Sequence, residues 1–382
     1  MLERWHEKFS QRQKSKAAIL PANDRERKIG LGYNQPWIRQ KSNEWKTFGP
    51  ENMQDPRLQV HSAPHGARPR KPIAFLTMEC LDGFVAYDHL AIPPLARRGW
   101  DVVDVPWTRK DVQWSDFEAV IIRTPWDYHH RISDFLAVID QIDQSSARLI
   151  NSAEIVRWNI DKSYLKDLQN EGLPIVPTQW REGIQWQDVL KAFDLFDVDE
   201  VVLKPTIGAG ARDTFRIKQG QQPVANVEAL YQNRTAMLQP FLPSVVQQGE
   251  WSLFYFGGTY SHAVLKTPAE GDFRVQEEYG SNLQAVIPSE DLLEVAQRSL
   301  RVIGETLVYA RIDLVRLVDS TPAIMELELI EPSLYFPYEE ASPDRFAEAI
   351  DHCLTTTETT SGIPLSHRVR TERPGTVERV KH

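Results

Sequence analysis

Cysteine is nearly absent from this chain: two residues, Cys80 and Cys353, among 382. They stand far apart and form no CxxC pair, which excludes a disulfide framework and argues against structural zinc. No apolar run approaches the roughly 20 residues that a membrane-spanning helix needs. The opening stretch, MLERWHEKFSQRQKSK, is charged and holds no apolar signal-peptide core. Positive charge is not in excess either. Lys and Arg number 44 against 53 Asp and Glu, a formal net charge of −9, which speaks against non-specific binding to nucleic acid or an anionic membrane. Internal repeats and a GxxxxGK[ST] phosphate loop are also missing, as are the third glycine and following helix of a dinucleotide fingerprint. What is there is an ordinary globular composition, 25% charged and 41% hydrophobic. The length allows two or three domains, and the cytoplasm is the default compartment.

Organisation follows from where the texture changes. Residues 1–71, Pro-, Asn-, Gln- and Arg-rich after a short charged helix over 2–16, read as a poorly structured extension or an interaction arm, one able to pair with a second copy in a homodimer. Strands are expected at 73–78, 102–105 and 119–123, with helices at 88–98 and 133–142. Strand, helix, strand at this spacing implies a small parallel α/β domain over 72–150. A second unit opens near Asn151. It holds a helix from Lys162 to Asn170, a strand in "EVVLKPTIGAG", strands at 236–239, 251–256 and 260–265, and a helix over 289–306. "SPDRFAEAIDHCL", with a Ser cap and Pro at the first helical position, closes the fold. Residues 357–382 read as a polar tail.

Three stretches carry chemistry. "ARIDLVRLVDSTPAIMELELIEP" reads as a hairpin turning at Asp319–Pro322. Glu326 and Glu328 then share a face, and Asp313 is expected opposite Glu328. A solvated acidic face is the simpler reading. The apolar Leu314, Val315, Leu327 and Leu329 argue against it, and carboxylates without sulfur or imidazole suit a hard cation such as Mg2+. "VVLKPTIGAGARDTFRI" delivers Lys204 on a buried strand, followed by Gly208 and Gly210. The pattern offers a cation and close backbone approach to an anion, unless the glycines only make a turn. "SHAVLKTPAEGDFRVQEEYGS" places Lys266 and Arg274 beside a glycine-bordered loop, which suits a flap over a phosphate chain or else a solvated hairpin.

In order, these are Lys162 of "NIDKSYL", Lys204 with its glycine loop, the apolar hinge "MLQPFLP", the basic flap, Arg-x-Asp and the Glu-x-Glu hairpin. In this arrangement residues 72–355 resemble the ATP-grasp superfamily, and within it the branch of RimK-like ligases, prokaryotic glutathione synthetase and the D-cycloserine-forming cyclo-ligase. The resemblance implies an α/β (α+β) chain. A two-lobed ATP-grasp domain over 151–356, with lobes about 151–240 and 241–356, would follow the small parallel domain.

It further implies that Lys162, Lys204, Gly208 and Gly210 meet the nucleotide phosphates and that Gln239, Phe241 and Leu242 face adenine. Glu250 would reach the ribose. Arg274, Lys266 and Arg311 would be catalytic, and Asp313, Glu326 and Glu328 would hold one or two Mg2+ ions. The family usually shows Glu-x-Asn on the last metal strand; this chain has Glu326-x-Glu328, and a register using Glu328 and Glu331 is an alternative. "IIRTPWDYHHR" resembles a segment of the cyclo-ligase branch and suggests Arg123, Asp127 and Tyr128 for the acceptor substrate, with packing roles as the alternative. The implied reaction joins the carboxylate of an amino acid or small peptide to an amine through an acylphosphate, releasing ADP and phosphate. An intramolecular cyclo-ligase and a non-catalytic ATP-binding module are the other readings. Neither nucleic acid nor membrane is an expected partner.

Overall fold

The computed structural model describes residues 70–356; the arm ahead of them and the polar tail at 357–382 lie outside the described residues. The described chain is built on three sheets. In the first, parallel strands run in the order β2-β1-β3-β4: β1 Ile73–Thr77, β2 Val102–Pro106, β3 Ala119–Thr124 and β4 Arg148–Ile150. β1 and β3 are buried along their whole length, as continuous apolar runs in a parallel sheet should be. The expected helix over 88–98 is split. A 3-10 turn at Asp88–Ala91 precedes α1 Ile92–Arg97, because Pro93 and Pro94 lack the N–H an uninterrupted helix would use. α2 Ile132–Asp143 packs on the sheet, and α3 Ala153–Asn159 follows β4, capped by the Ser152 hydroxyl, which accepts from Ile155 N.

The helix expected from Lys162 begins two residues later, as α4 Tyr164–Asn170. Asp161 accepts the Ser163 N–H at 2.8 Å and makes a turn. Lys162 sits in that turn, its N–H on Thr206 O at 2.9 Å. The second sheet is antiparallel, β5-β8-β6-β7: β5 Gln179–Glu182, β6 Glu200–Pro205, β7 Phe215–Lys218 and β8 Thr235–Pro240. α5 Trp186–Phe196 packs against it.

The third sheet is β11-β10-β9-β12-β13, again antiparallel, with β9 Glu250–Phe256, β10 Thr259–Thr267, β11 Asn282–Ala285, β12 Tyr309–Arg316 and β13 Pro322–Glu328. Its hairpin β12–β13 departs from the expected register: Arg311 faces Glu328 and Asp313 faces Glu326. The turn is centred on Asp319, with Ser320 left-handed at φ 69°, and Pro322 already pairs with Arg316. A bulge between Asp313 and Leu314 adds one more step. The closing helix runs Ser342–Thr355 and Ser342 is not its cap; the buried hydroxyl donates back to Glu339 O at 2.6 Å, so Ala341 holds the cap position.

The first sheet is locked to the hairpin by side chains. The Asn151 amide donates to Tyr309 O and Leu329 O, both at 2.9 Å, and accepts from Val308 N at 3.0 Å. These bonds fix the end of the parallel sheet against the strands that carry the acids. No described helix is long and apolar enough to cross a membrane.

Candidate active site

A cavity of about 640 Å³ opens between the second and third sheets and reaches the carboxyl end of the first. Of the residues singled out from sequence, all but Arg123 and Asp127 line it. On one side, Lys162 Nζ donates to Gly208 O at 2.8 Å and lies 3.0 Å from Glu326. Lys204 stands beside it with its ammonium 3.6 Å from Met325 Sδ. Burial pushes the Lys204 pKa down; burial acts the same way on Lys162, but Glu326, Glu328 and Glu331 outweigh it and raise that group.

On the other side, Arg311 holds two carboxylates. Its Nη2 donates to Asp313 at 3.0 Å and also to Glu328. Lys266 bridges Glu250 at 2.6 Å and Asp313 at 3.5 Å. The Ser252 hydroxyl donates to Asp313 at 2.5 Å. Burial alone would raise Asp313, but Arg311 and Lys266 overcome it and hold the carboxyl at about 2. Burial carries Glu328 the other way, to about 8, against the pull of Arg311 and with Asp313 and Glu326 adding repulsion. Glu331 is likewise raised by burial, to about 7, and is hydrogen-bonded to Tyr128.

Several expectations change here. Lys266 lies in β10, directly across from Glu250 on β9, and not on a flap. Glu250, expected at a ribose, is the partner of Lys266. The Phe241 N–H is committed to Glu200 O at 2.9 Å, so that amide is unavailable to a base. The flap itself is the 268–281 segment. Arg274 pairs with Asp272 at 2.7 Å and lies 3.6 Å over the Tyr279 ring, whose hydroxyl donates to Gly210 O at 3.0 Å. Flap and glycine loop are therefore in contact.

The acceptor residues fare unevenly. Arg123 is 0% exposed, paired with Asp88 at 2.5 Å and donating to Pro332 O at 2.8 Å. Its partner lies in a 3-10 turn 35 residues upstream, which the sequence did not reveal. Asp127 accepts from Trp107 Nε1 at 2.7 Å and is equally structural. Tyr128 does reach the cavity, with Phe84, Val85 and His129 beside it. The "YHH" run was visible in the sequence, but nothing in its spacing marked His129.

The three acids expected to converge line one cavity, with Asp313 and Glu328 on the same Arg311 nitrogen, but each is turned to a cation. Among the described residues no group of three His, Cys, Asp or Glu side chains is arranged to hold a metal; each acid faces a lysine or an arginine instead. The donors still fit Mg2+. All are hard oxygens on one cavity, and that ion is ordinarily held by one or two carboxylates plus substrate phosphates, without an all-protein cage.

Comparison with known proteins agrees with this geometry. Residues 73–151 match the family described as D-cycloserine synthetase DcsG, N-terminal domain, and residues 185–318 match prokaryotic glutathione synthetase, ATP-grasp domain. The chain is 35% identical over 262 residues to the cycloserine biosynthesis protein DcsG of Streptomyces lavendulae, covering 64% of this chain and 86% of that one. The chain belongs to the ATP-grasp ligase family. The crystal structure of D-cycloserine synthetase DcsG superposes on this ATP-grasp ligase with a TM-score of 0.64 at 30% identity, covering 74% of this chain and 99% of that one. A RimK domain ATP-grasp protein from Sphaerobacter thermophilus shares the fold, with TM-score 0.55 at 16% identity, over 74% of this chain and 100% of its own. The chain is thus an ATP-dependent ligase of the amide-forming kind, and ATP and Mg2+ are general to its family.

Proposed function

We propose that the chain activates the carboxylate of an amino acid or small peptide by attack on the γ-phosphate of ATP, and then joins the acylphosphate to an amine with release of phosphate. The observation that carries this reading is one cavity with two unlike walls. Lysines and a glycine loop line one, and Arg311 spanning Asp313 and Glu328 lines the other. Lys162, Lys204 and the backbone at Gly208 and Gly210 hold the phosphates, and Gln239 to Leu242 flank the base. Arg311 faces the phosphoryl group as charge develops on it, and Arg274 closes over it from the flap. Asp313, Glu326 and Glu328 would hold one or two Mg2+ ions, which when bound neutralise phosphate charge. Lys266 acts through Asp313 by keeping it ionised. Positioning and electrostatics supply most of the rate in such chemistry, so no protein nucleophile is required.

A second version makes the amine part of the same molecule, so that the product is a ring. It is favoured by the DcsG N-terminal match, because that segment supplies Val85, Tyr128 and His129 to the acceptor end of the cavity. Phosphorus NMR of the protein with Mg-ATP and pooled D- and L-amino acids and dipeptides tests both. Substrate-dependent ADP and phosphate are expected. A rate that depends on a single substrate and gives a cyclised product selects the second version. AMP with pyrophosphate would overturn the acylphosphate route, and intact ATP with every pool would sink the proposed substrate class.

A further inference from the structure

His129 lines the cavity, yet the roles above leave it idle. Its Nδ1 lies 2.9 Å from Trp126 O. A carbonyl can only accept, so Nδ1 carries the proton and Nε2 is left as a bare lone pair. That Nε2 is shielded from solvent and has no hydrogen-bond partner. Buried polar atoms nearly always find partners, so an unmatched acceptor on a cavity-lining residue marks where a ligand's donor belongs.

The surroundings keep the ring neutral. Burial holds the His129 pKa below the ordinary imidazole value, and His130 and Arg212 push the same way, against the Trp126 carbonyl and Asp127. The His129 and His130 rings are 3.9 Å apart, and Arg212 of the glycine loop reaches His130 Nε2 at 2.9 Å. The ring therefore sits in the 3-10 turn Tyr128–His130, whose last residue meets Arg212 of the glycine loop.

We propose that Nε2 of His129 accepts the N–H of the attacking amine, aligning it and taking up its proton as the new bond forms. The inference rests on the amide-forming reading above. The nitrogen lone pair forms the C–N bond, and the C–O bond to phosphate breaks with its electron pair going to the phosphate oxygen. The proton released by nitrogen passes to Nε2 and on to the departing phosphate. The products are the amide and hydrogen phosphate, and the imidazole ends neutral.

Two variants test it. His129→Asn keeps a side-chain N–H for Trp126 O and lacks Nε2; His129→Gln can place an amide oxygen near the lost nitrogen. Each is assayed for ADP release with Mg-ATP and the pooled amino acids, with and without hydroxylamine. Hydroxylamine is unprotonated at pH 7 and a stronger nucleophile than an ordinary amine, so although its nitrogen also sheds a proton, its attack depends much less on a positioned acceptor. His129→Asn should lose about 100-fold in kcat with amine substrates. It should stay within about threefold of wild type with hydroxylamine and keep its KM for ATP, and His129→Gln should fall between. Equal losses with both nucleophiles, or no loss, overturn the proposal. Nitrogen-15 NMR of the imidazoles supplies a readout that needs no turnover. Nε2 of His129 should be unprotonated at pH 7 and shift on addition of glycinamide. A protonated Nε2, or no shift, overturns the proposal. If wild type releases no ADP with the pool, the amino-acid substrate class fails while the NMR result still decides the role of His129.

Discussion

Replacing Arg311 with methionine removes a buried guanidinium that holds two carboxylates at once. Breaking a buried ion pair from one side costs about 3–5 kcal/mol, because the surviving charge is left uncompensated. Two features of this site lower that figure. Lys266 still faces Asp313 at 3.5 Å. Burial already raises the Glu328 pKa, so this group can lie neutral and leaves little stranded charge when its partner is removed. The expected loss is therefore about 2–3 kcal/mol, or roughly 5–10 °C in Tm for a domain this size. Circular dichroism melts at pH 7 measure it, beside an ADP-release assay in which turnover should fall by about 1000-fold. The pH trend adds a check. The depressed Asp313 pKa contributes stability that is present above its ordinary value and lost as pH falls towards 2. The gap between wild type and Arg311→Met should therefore narrow below pH 4. An unchanged Tm, or a gap that widens in acid, would refute the reasoning.

Burial holds His262 at about 4, against the Leu334 carbonyl that its Nε2 meets at 3.1 Å. Its contribution is complete above the ordinary imidazole pKa and lost as pH falls through 4, about 3 kcal/mol in all; in urea melts, His262→Gln should flatten the stability slope between pH 6.5 and 4. Gly249 is left-handed at φ 93°, and a Cβ there would lie 2.8 Å from Lys266 O. Gly249→Ala should destabilise by about 3 kcal/mol, with a matching fall in the urea midpoint. Titration calorimetry should find ATP and Mg2+ each binding about 10–100-fold tighter in the presence of the other; independent binding would remove the three acids from the metal reading.

Much of this site was legible because polar side chains in apolar strands stand out: Lys204 in β6, and Arg311 and Asp313 in β12. Their order along the chain added what no single motif could. The hairpin register was not legible, since it depends on a left-handed Ser320 and a bulge after Asp313 that composition does not announce. Nor was the fate of Arg123, whose partner is distant in sequence. β5 and β7, four residues each with mixed exposure, give no alternation to detect. α5 was different. Its amphipathic run and the reciprocal Gln185–Asp188 capping box were present in the sequence, and "QWQD" at its start simply does not look like a cap of the usual Ser or Thr type.

The density of acids in β12 and β13 has a physical rationale once the pairs are counted together. Asp313 faces Arg311 and Lys266, Glu326 faces Lys162, and Glu328 faces Arg311. A polyanion alone could enter only by drawing lysines and arginines off their carboxylates, leaving buried negative charge unmatched. A divalent cation alone would leave the cations unmatched. Together they can enter by exchange, with phosphate oxygens taking the lysines and the metal taking the carboxylates, so that no buried charge is stranded. Glu328 carries this argument furthest, because burial and its acidic neighbours already resist its ionisation. A metal beside it would relieve both, and an asparagine at that position, as in the usual family pattern, would have had no such strain to relieve.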